Sequence, residues 1–252
     1  GKLELLIERV LDGHEVAAHL RVSKKPAPGA RLRLATGVTK DVTAEVLGRW
    51  PAPDGPLYHL RLSHEPYALM AAHGHVPLPP YITHDDGAED ERRYQTVFAR
   101  NPGAVAAPTA ALHFTTGLHE QLREQGVHFY PLCLDIGYGT FAPLTQQNFS
   151  GSELHAEHYY IPPLTAEKFN SGAVGRKIAL GTTSLRCLVS YQYYGEPEGE
   201  TTIFVTPREQ ISGVDGLITN FHLPQSSLLL LTAAFCGREL MAKAYREAIA
   251  ER

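Results

Sequence analysis

KIALGTTSLRCLVSY, residues 177–191, changes character in mid-stretch. A short apolar run at 177–180 has the length of a strand, Gly181 interrupts it, and a helical pattern runs over 182–191. Strand, turn and helix in succession are the repeating unit of an α/β domain. The same rhythm continues on either side. Helical patterns cover 89–100, 116–125, 226–236 and 238–252, and short apolar runs suited to strands cover 129–136, 203–205 and 217–220. This alternation predicts a mainly parallel sheet with flanking helices, whose ligands bind beyond the carboxyl ends of the strands.

Toward the N-terminus the period drops to two. Val16, Ala18, Leu20 and Val22 alternate with Ala17, His19 and Arg21, and the pattern recurs at Leu32 and Leu34, at Val42, Ala44 and Val46, and at Tyr58, Leu60 and Leu62. Short alternating runs are strands with one buried face. Turn residues at Asp12-Gly13, 26–29 and 51–56 separate them. Five or six such strands predict a small antiparallel β domain, a barrel or a sandwich, with the barrel preferred. The organisation expected is a β-barrel domain over 1–75, a proline-bearing linker over 76–88 and an α/β catalytic domain over 89–252. A short helix is expected at 66–73. The chain opens almost directly on a strand pattern and stops inside a helical one, so further sequence is expected at each end.

With 252 residues, 43% hydrophobic and 20% charged, the composition is that of an ordinary globular protein. No apolar run approaches the roughly 20 residues of a spanning helix; residues 228–236 come nearest and are interrupted by Thr232. The N-terminus lacks a signal-peptide pattern. Cys133, Cys187 and Cys236 are odd in number and widely spaced, which suits neither a disulfide framework nor a zinc site and fits a reducing cytoplasm. A net charge of −4 argues against indiscriminate nucleic-acid binding, yet Arg21, Lys24, Lys25, Arg31 and Arg33 share a 13-residue stretch without an acid. That stretch suits an RNA backbone, or is a solvated loop edge.

Several segments pack special residues where apolar runs end. Thr182, Thr183 and Ser184 follow a strand and start a helix, with Thr182 a natural N-cap. Free N–H groups there suit an anion, and simple helix capping explains them equally well. Arg186, one turn on, suits a bidentate clamp or a structural ion pair. In DIGYGT (135–140), Tyr138 and Gly139 follow Asp135, a candidate base or a turn-stabilising acid. His155, Glu157 and Tyr159 would share one face of a strand; Glu157 as a buried acid or base is preferred to a metal site. His222 in NFHLP (220–224) titrates near neutral pH, and His113 has a similar ambiguity.

These segments resemble a known family. YQTVFARNPGAVAAPTAALHF (94–114), GTTSLR (181–186) and VDGLITNFHLP (214–224) resemble, in order and spacing, the S-adenosylmethionine:tRNA ribosyltransferase-isomerases of queuosine biosynthesis. The resemblance implies a small β-barrel inserted in an α/β domain. It implies transfer and isomerisation of the ribosyl part of S-adenosylmethionine onto 7-aminomethyl-7-deazaguanine in tRNA, giving epoxyqueuosine, adenine and methionine, with no metal or further cofactor. Partners would be tRNA and S-adenosylmethionine, with no membrane, in a cytoplasmic monomer. Asp135, Glu157 and His222 are then the candidates for proton handling. Arg186 and Thr182, Thr183 and Ser184 would hold the methionine carboxylate. Tyr94, Phe114 and Tyr138 would stack on a base or meet the sulfonium, and His113, Gly139 and Asn220 would complete the substrate pocket.

The chain departs from the family in carrying Asp135 where a histidine is usual, Ala156 within the usual LHSE, and Ala111 for a glycine before Leu-His-Phe. An ionised carboxylate cannot donate a hydrogen bond, whereas imidazole can. A diverged relative with another acceptor, or a catalytically silent RNA-binding protein, are the alternatives.

Overall fold

The computed structural model describes residues 3–34, 42–79, 82–84, 86–137, 139, 144–151, 153–172 and 175–251. The chain divides into two compact units, Gly1–Asp86 with Gly103–Val105, and Gly87–Pro102 with Ala106–Arg252.

The first unit is built on strands β1 (Glu4–Val10), β2 (Glu15–Arg21), β3 (Arg31–Arg33), β4 (Thr43–Trp50) and β5 (Leu57–Leu62), followed by helix α1 (Pro66–His73). The strands form one antiparallel sheet in the order β1-β2-β5-β4-β3. The period-two pattern does what it predicts: Val16, Ala18, Ala44, Val46, Leu60 and Leu62 meet in one core, joined by Leu69 of α1. The barrel does not hold. Among the described residues the sheet is open, because closure would require β3, three residues long, to pair with β1. Alternation reports a buried face and says nothing of whether the edges meet.

The second unit is mixed α/β, with two small sheets among the described residues. It opens with α2 (Ala88–Arg93), a 3-10 turn (Thr109–His113) and α3 (Thr116–Glu124). Then come β6 (Cys133–Leu134), α4 (Gln146–Gly151), β7 (Glu153–Tyr160), α5 (Pro163–Asn170), β8 (Ile178–Leu180), α6 (Thr182–Tyr194), β9 (Glu198–Ile203), β10 (Gly216–Ile218), α7 (Ser227–Cys236) and α8 (Arg238–Ala250). The mainly parallel sheet is corrected: among the described residues only β8 and β10 pair in parallel, while β6-β7-β9 is antiparallel. The long crossover from β7 to β9 carries helices, yet β9 returns antiparallel; intervening helices alone do not fix strand direction.

Local chemistry explains the displaced boundaries. The helix expected over 89–100 stops at Arg93, where Thr96 turns its hydroxyl onto the Phe98 N–H and Arg100 binds the carbonyls of Val97 and Ala99. The strand expected over 203–205 instead ends there, because polar residues 198–202 find their ladder on β7. The expected helix at 66–73 is present as α1.

Helix α6 lies against both sheets. Its Cys187 and Leu188 join Leu134, Ile136, Tyr159 and Ile161, while Leu185 joins Ala179, Val205 and Leu231. Arg186 is carried into the interior between these two apolar anchors. Among the described residues no helix is long and apolar enough to cross a membrane.

Candidate active site

Strand β7 alternates as its sequence requires, placing His155, Glu157 and Tyr159 on one side and His158 on the other. Glu157 keeps 2% of its surface and Arg186 7%. Their ion pair is direct: Arg186 Nη1 donates to Glu157 Oε2. Glu157 Oε1 accepts the Gly137 N–H at 3.0 Å. Arg186 Nη2 also reaches the carbonyls of Thr201 (3.3 Å) and His155 (3.4 Å), and Ser190, one turn on, joins its hydroxyl to that of Thr201 at 2.7 Å. Burial pulls the guanidinium pKa below its ordinary value, opposed by the neighbouring Glu157. It remains a cation, as arginine does in proteins. The Arg186 Nε, buried, has no partner among the described residues.

Glu157 and Arg186 line a cavity of about 480 Å³, with His155, Gly139, Asn148 and Leu231 among its other walls. Gly139 is required here, since a Cβ at that position would fall inside the imidazole of His155. The cavity therefore combines a buried charge pair and apolar walls, which is the makeup of a small-molecule site.

A second cluster sits beyond the carboxyl ends of β8 and β10, where parallel pairing brings both strand ends to one edge. The Gly181 N–H donates to Ile218 O at 2.8 Å. Gly181 itself, at φ 89°, is the N-cap of α6, and Thr182 is the first helical residue, a correction to its expected capping role. Only glycine takes that positive φ cheaply. Ser184 donates its hydroxyl to Leu180 O at 2.7 Å, which occupies it structurally. Asn220 Nδ2 meets His113 Nε2 at 3.0 Å, leaving the buried Asn220 Oδ1 without a partner among the described residues. His222 Nε2 meets the Thr219 hydroxyl at 3.0 Å, and its backbone N–H donates to the Tyr245 hydroxyl at 2.8 Å.

Other candidates separate from these clusters. The Asp135 carboxylate faces His158 (3.6 Å) and the Cys133 thiol (3.6 Å), on the opposite side of β7 from Glu157. Burial, with Asp135 beside it, pushes the Cys133 thiol up to about 11, and burial pushes Cys187 up to about 12, so neither is a ready nucleophile. Phe114 is half-buried and packs in a cluster with Phe98 and Phe129, at ring separations of 5.9 and 6.3 Å. Tyr94 caps α2 through its backbone and is half-buried. Thr183 is half-buried in the first turn of α6. Tyr138 and Thr140 lie outside the described residues.

In the first unit the five basic residues are exposed but dispersed. Arg21 pairs with Glu4 at 3.7 Å, and β5 and β4 stand between it and Arg31 and Arg33 on β3. Lys24 and Lys25 lie on the loop between β2 and β3. Residues that the sequence did not single out include Thr201 and Ser190, whose hydroxyl and carbonyl groups hold Arg186; a pairing of buried polar residues on β9 and α6 leaves no local sequence signal.

His222 gives a testable pH dependence. Burial depresses its pKa below the ordinary 6.5, so the folded chain favours the neutral imidazole. The unfolded chain therefore takes up the proton first as pH falls. The stability from this group is intact above about pH 6.5 and is lost as pH falls through the folded-state value. Thermal unfolding between pH 5 and 8 is expected to show a shallower acid-side decline in His222→Gln than in the parent chain.

The chain matches, over residues 1–252, the family model described as queuosine biosynthesis protein. It is 46% identical to the S-adenosylmethionine:tRNA ribosyltransferase-isomerase of Ralstonia pickettii (strain 12J), covering all of this chain and 70% of that one. It is 47% identical to the protein of the same name from Cupriavidus pinatubonensis, again over the whole chain and 72% of the relative. Among solved structures, the S-adenosylmethionine tRNA ribosyltransferase of Thermotoga maritima is 27% identical, covering 99% of this chain and 70% of that one, with a TM-score of 0.47.

Proposed function

The chain belongs to the queuosine biosynthesis protein family, and from that membership we propose that it is an S-adenosylmethionine:tRNA ribosyltransferase-isomerase. It transfers and isomerises the ribosyl moiety of S-adenosylmethionine onto 7-aminomethyl-7-deazaguanine in tRNA. Epoxyqueuosine-containing tRNA, adenine and methionine leave. The partners are tRNA and S-adenosylmethionine; the enzyme works as a cytoplasmic monomer and uses neither a metal nor a further cofactor.

One observation carries the assignment of the site: Glu157 and Arg186 line the 480 Å³ cavity together, and Arg186 retains a buried N–H with no acceptor. The chemistry needs a base for the 5′ carbon, whose protons the neighbouring sulfonium acidifies. Glu157 suits that task as a buried carboxylate on the cavity wall, oriented by Arg186 and the Gly137 N–H. The free Arg186 N–H suits an acceptor on the substrate, such as a carboxylate or a sugar oxygen. The methionine carboxylate also suits the first turn of α6, which no side chain caps. The unpartnered Asn220 Oδ1 beyond the ends of β8 and β10 suits a donor such as an amine. His113 is the candidate for passing a proton to departing adenine, and the neutral imidazole of His222 suits accepting one. The 1–75 segment serves as the RNA-facing domain and 89–252 as the catalytic one.

Purified protein mixed with S-adenosylmethionine and tRNA bearing the deazaguanine is expected to release adenine, and only when all three are present. Adenine release without tRNA, or none with it, would remove the reading. Asp135, standing where the family has histidine, favours a second reading in which another amine is the acceptor. Turnover with a different amine and none with the tRNA would select it.

A further inference from the structure

We propose that the first unit carries a nucleotide-sized RNA cleft centred on Arg49 and Lys25, a site that rests on the tRNA reading above and localises it. The cleft has a volume of about 580 Å³. Lys25, Pro26 and Pro28 form one wall, Gly48, Arg49 and the 51–53 turn form the other, and Tyr58 and His59 of β5 lie between. No acid is among its lining residues.

Its two strongest charges are uncommitted to carboxylates. The Arg49 guanidinium carbon lies over the Tyr58 ring, 4.0 Å from the centroid, and Arg49 donates one N–H to Pro56 O at 3.2 Å. Among the described residues no carboxylate pairs with Arg49 or Lys25. The one acid tied to a lining residue, Glu15, is itself held between His59 (2.6 Å) and Arg61 (2.9 Å). A guanidinium held over an aromatic ring is a platform on which a nucleobase can stack, one of the ways unpaired RNA bases are held. Its remaining N–H groups and the Lys25 ammonium suit the adjoining phosphates.

The cleft is also pre-formed. Gly29 donates to Val46 O at 2.7 Å and Val46 to Ala30 O at 2.9 Å, which fastens the proline-bearing wall to β4. Prolines at 26, 28, 51 and 53 leave little backbone freedom to lose on binding. Apolar sides and two positive charges without carboxylate partners, one of them over an aromatic ring, fit an unpaired nucleotide of RNA better than an acidic peptide, which has no base to stack.

The test compares Lys25→Gln, Arg49→Gln and Arg21→Gln in the full chain. All three remove one positive charge, so long-range attraction changes equally. Affinity for an unmodified tRNA transcript is read by fluorescence anisotropy at several salt concentrations. Lys25→Gln and Arg49→Gln are each expected to weaken binding about 3- to 10-fold and to lower the salt slope by roughly 0.7–0.9, while Arg21→Gln stays within about 2-fold. Lys25 is an exposed loop residue, so its variant does not depend on refolding the unit. Parent chain that binds tRNA, with all three variants binding alike, overturns the cleft and leaves the enzyme reading standing. Parent chain that does not bind tRNA overturns both.

Discussion

Arg186→Met is expected to lower the stability of the second unit by about 3–5 kcal/mol, read by urea unfolding. The substitution keeps an unbranched side chain between Leu185 and Cys187, so packing changes little. What it removes is the guanidinium that pairs with the buried Glu157, together with the donors that reach the carbonyls of Thr201 and His155. An uncompensated carboxylate in the interior costs more than the pair contributes, because desolvation has been paid without the Coulombic return. The second substitution Glu157→Leu, added to the first, is expected to recover most of that loss, since an apolar pair of similar volume is often as stable as the ion pair it replaces. The double variant is also expected to release no adenine. Stability restored without activity would separate the pair's role in the fold from its role in the reaction.

Glu157→Gln carries the second large effect. The amide retains the shape and one acceptor for the Gly137 N–H, but it no longer holds a charge and cannot take a proton at neutral pH. If Glu157 is the base for the 5′ carbon, adenine release should fall about 10²- to 10⁴-fold. Binding of S-adenosylmethionine, measured by calorimetry on the folded fraction, should change far less, because the Arg186 N–H that suits the substrate is still present. A purely structural role predicts the opposite division, with affinity and folded fraction lost together and the rate per folded molecule preserved.

The period of the sequence located most elements, and the residues that broke it located the glycine turns. The alternation in β2, β4 and β5 became a buried sheet face, and the strand, glycine and helix of 177–191 became β8 and α6. Strand direction was beyond reach. The polar segment 198–202 has no apolar pattern to announce β9, and its pairing with β7 depends on a register that only three-dimensional packing supplies. The site divided in the same way. Glu157, Arg186 and Gly139 could be nominated individually, as a lone acid on a strand, a cation one turn into a helix and a glycine after a strand. That Glu157 and Arg186 neutralise each other, 29 residues apart, is a fact of packing. Phe114 shows the reverse case: an aromatic in a motif-rich segment whose ring packs against Phe98 and Phe129. Asp135, just past the end of β6, donates its backbone N–H to His158 O and turns its carboxylate to the His158 ring, which the alternation of β7 places on the face away from Glu157.

The cavity around Glu157 and Arg186 as the place of reaction is tested most directly by single-turnover adenine release. Parent chain and Glu157→Gln would be saturated with S-adenosylmethionine and deazaguanine-bearing tRNA, with bound substrate quantified in each sample. Rapid release from the parent and a loss of at least about 100-fold in the variant, at equal occupancy, is the predicted outcome. Release at the parental rate from fully occupied Glu157→Gln would contradict it and move the chemistry elsewhere.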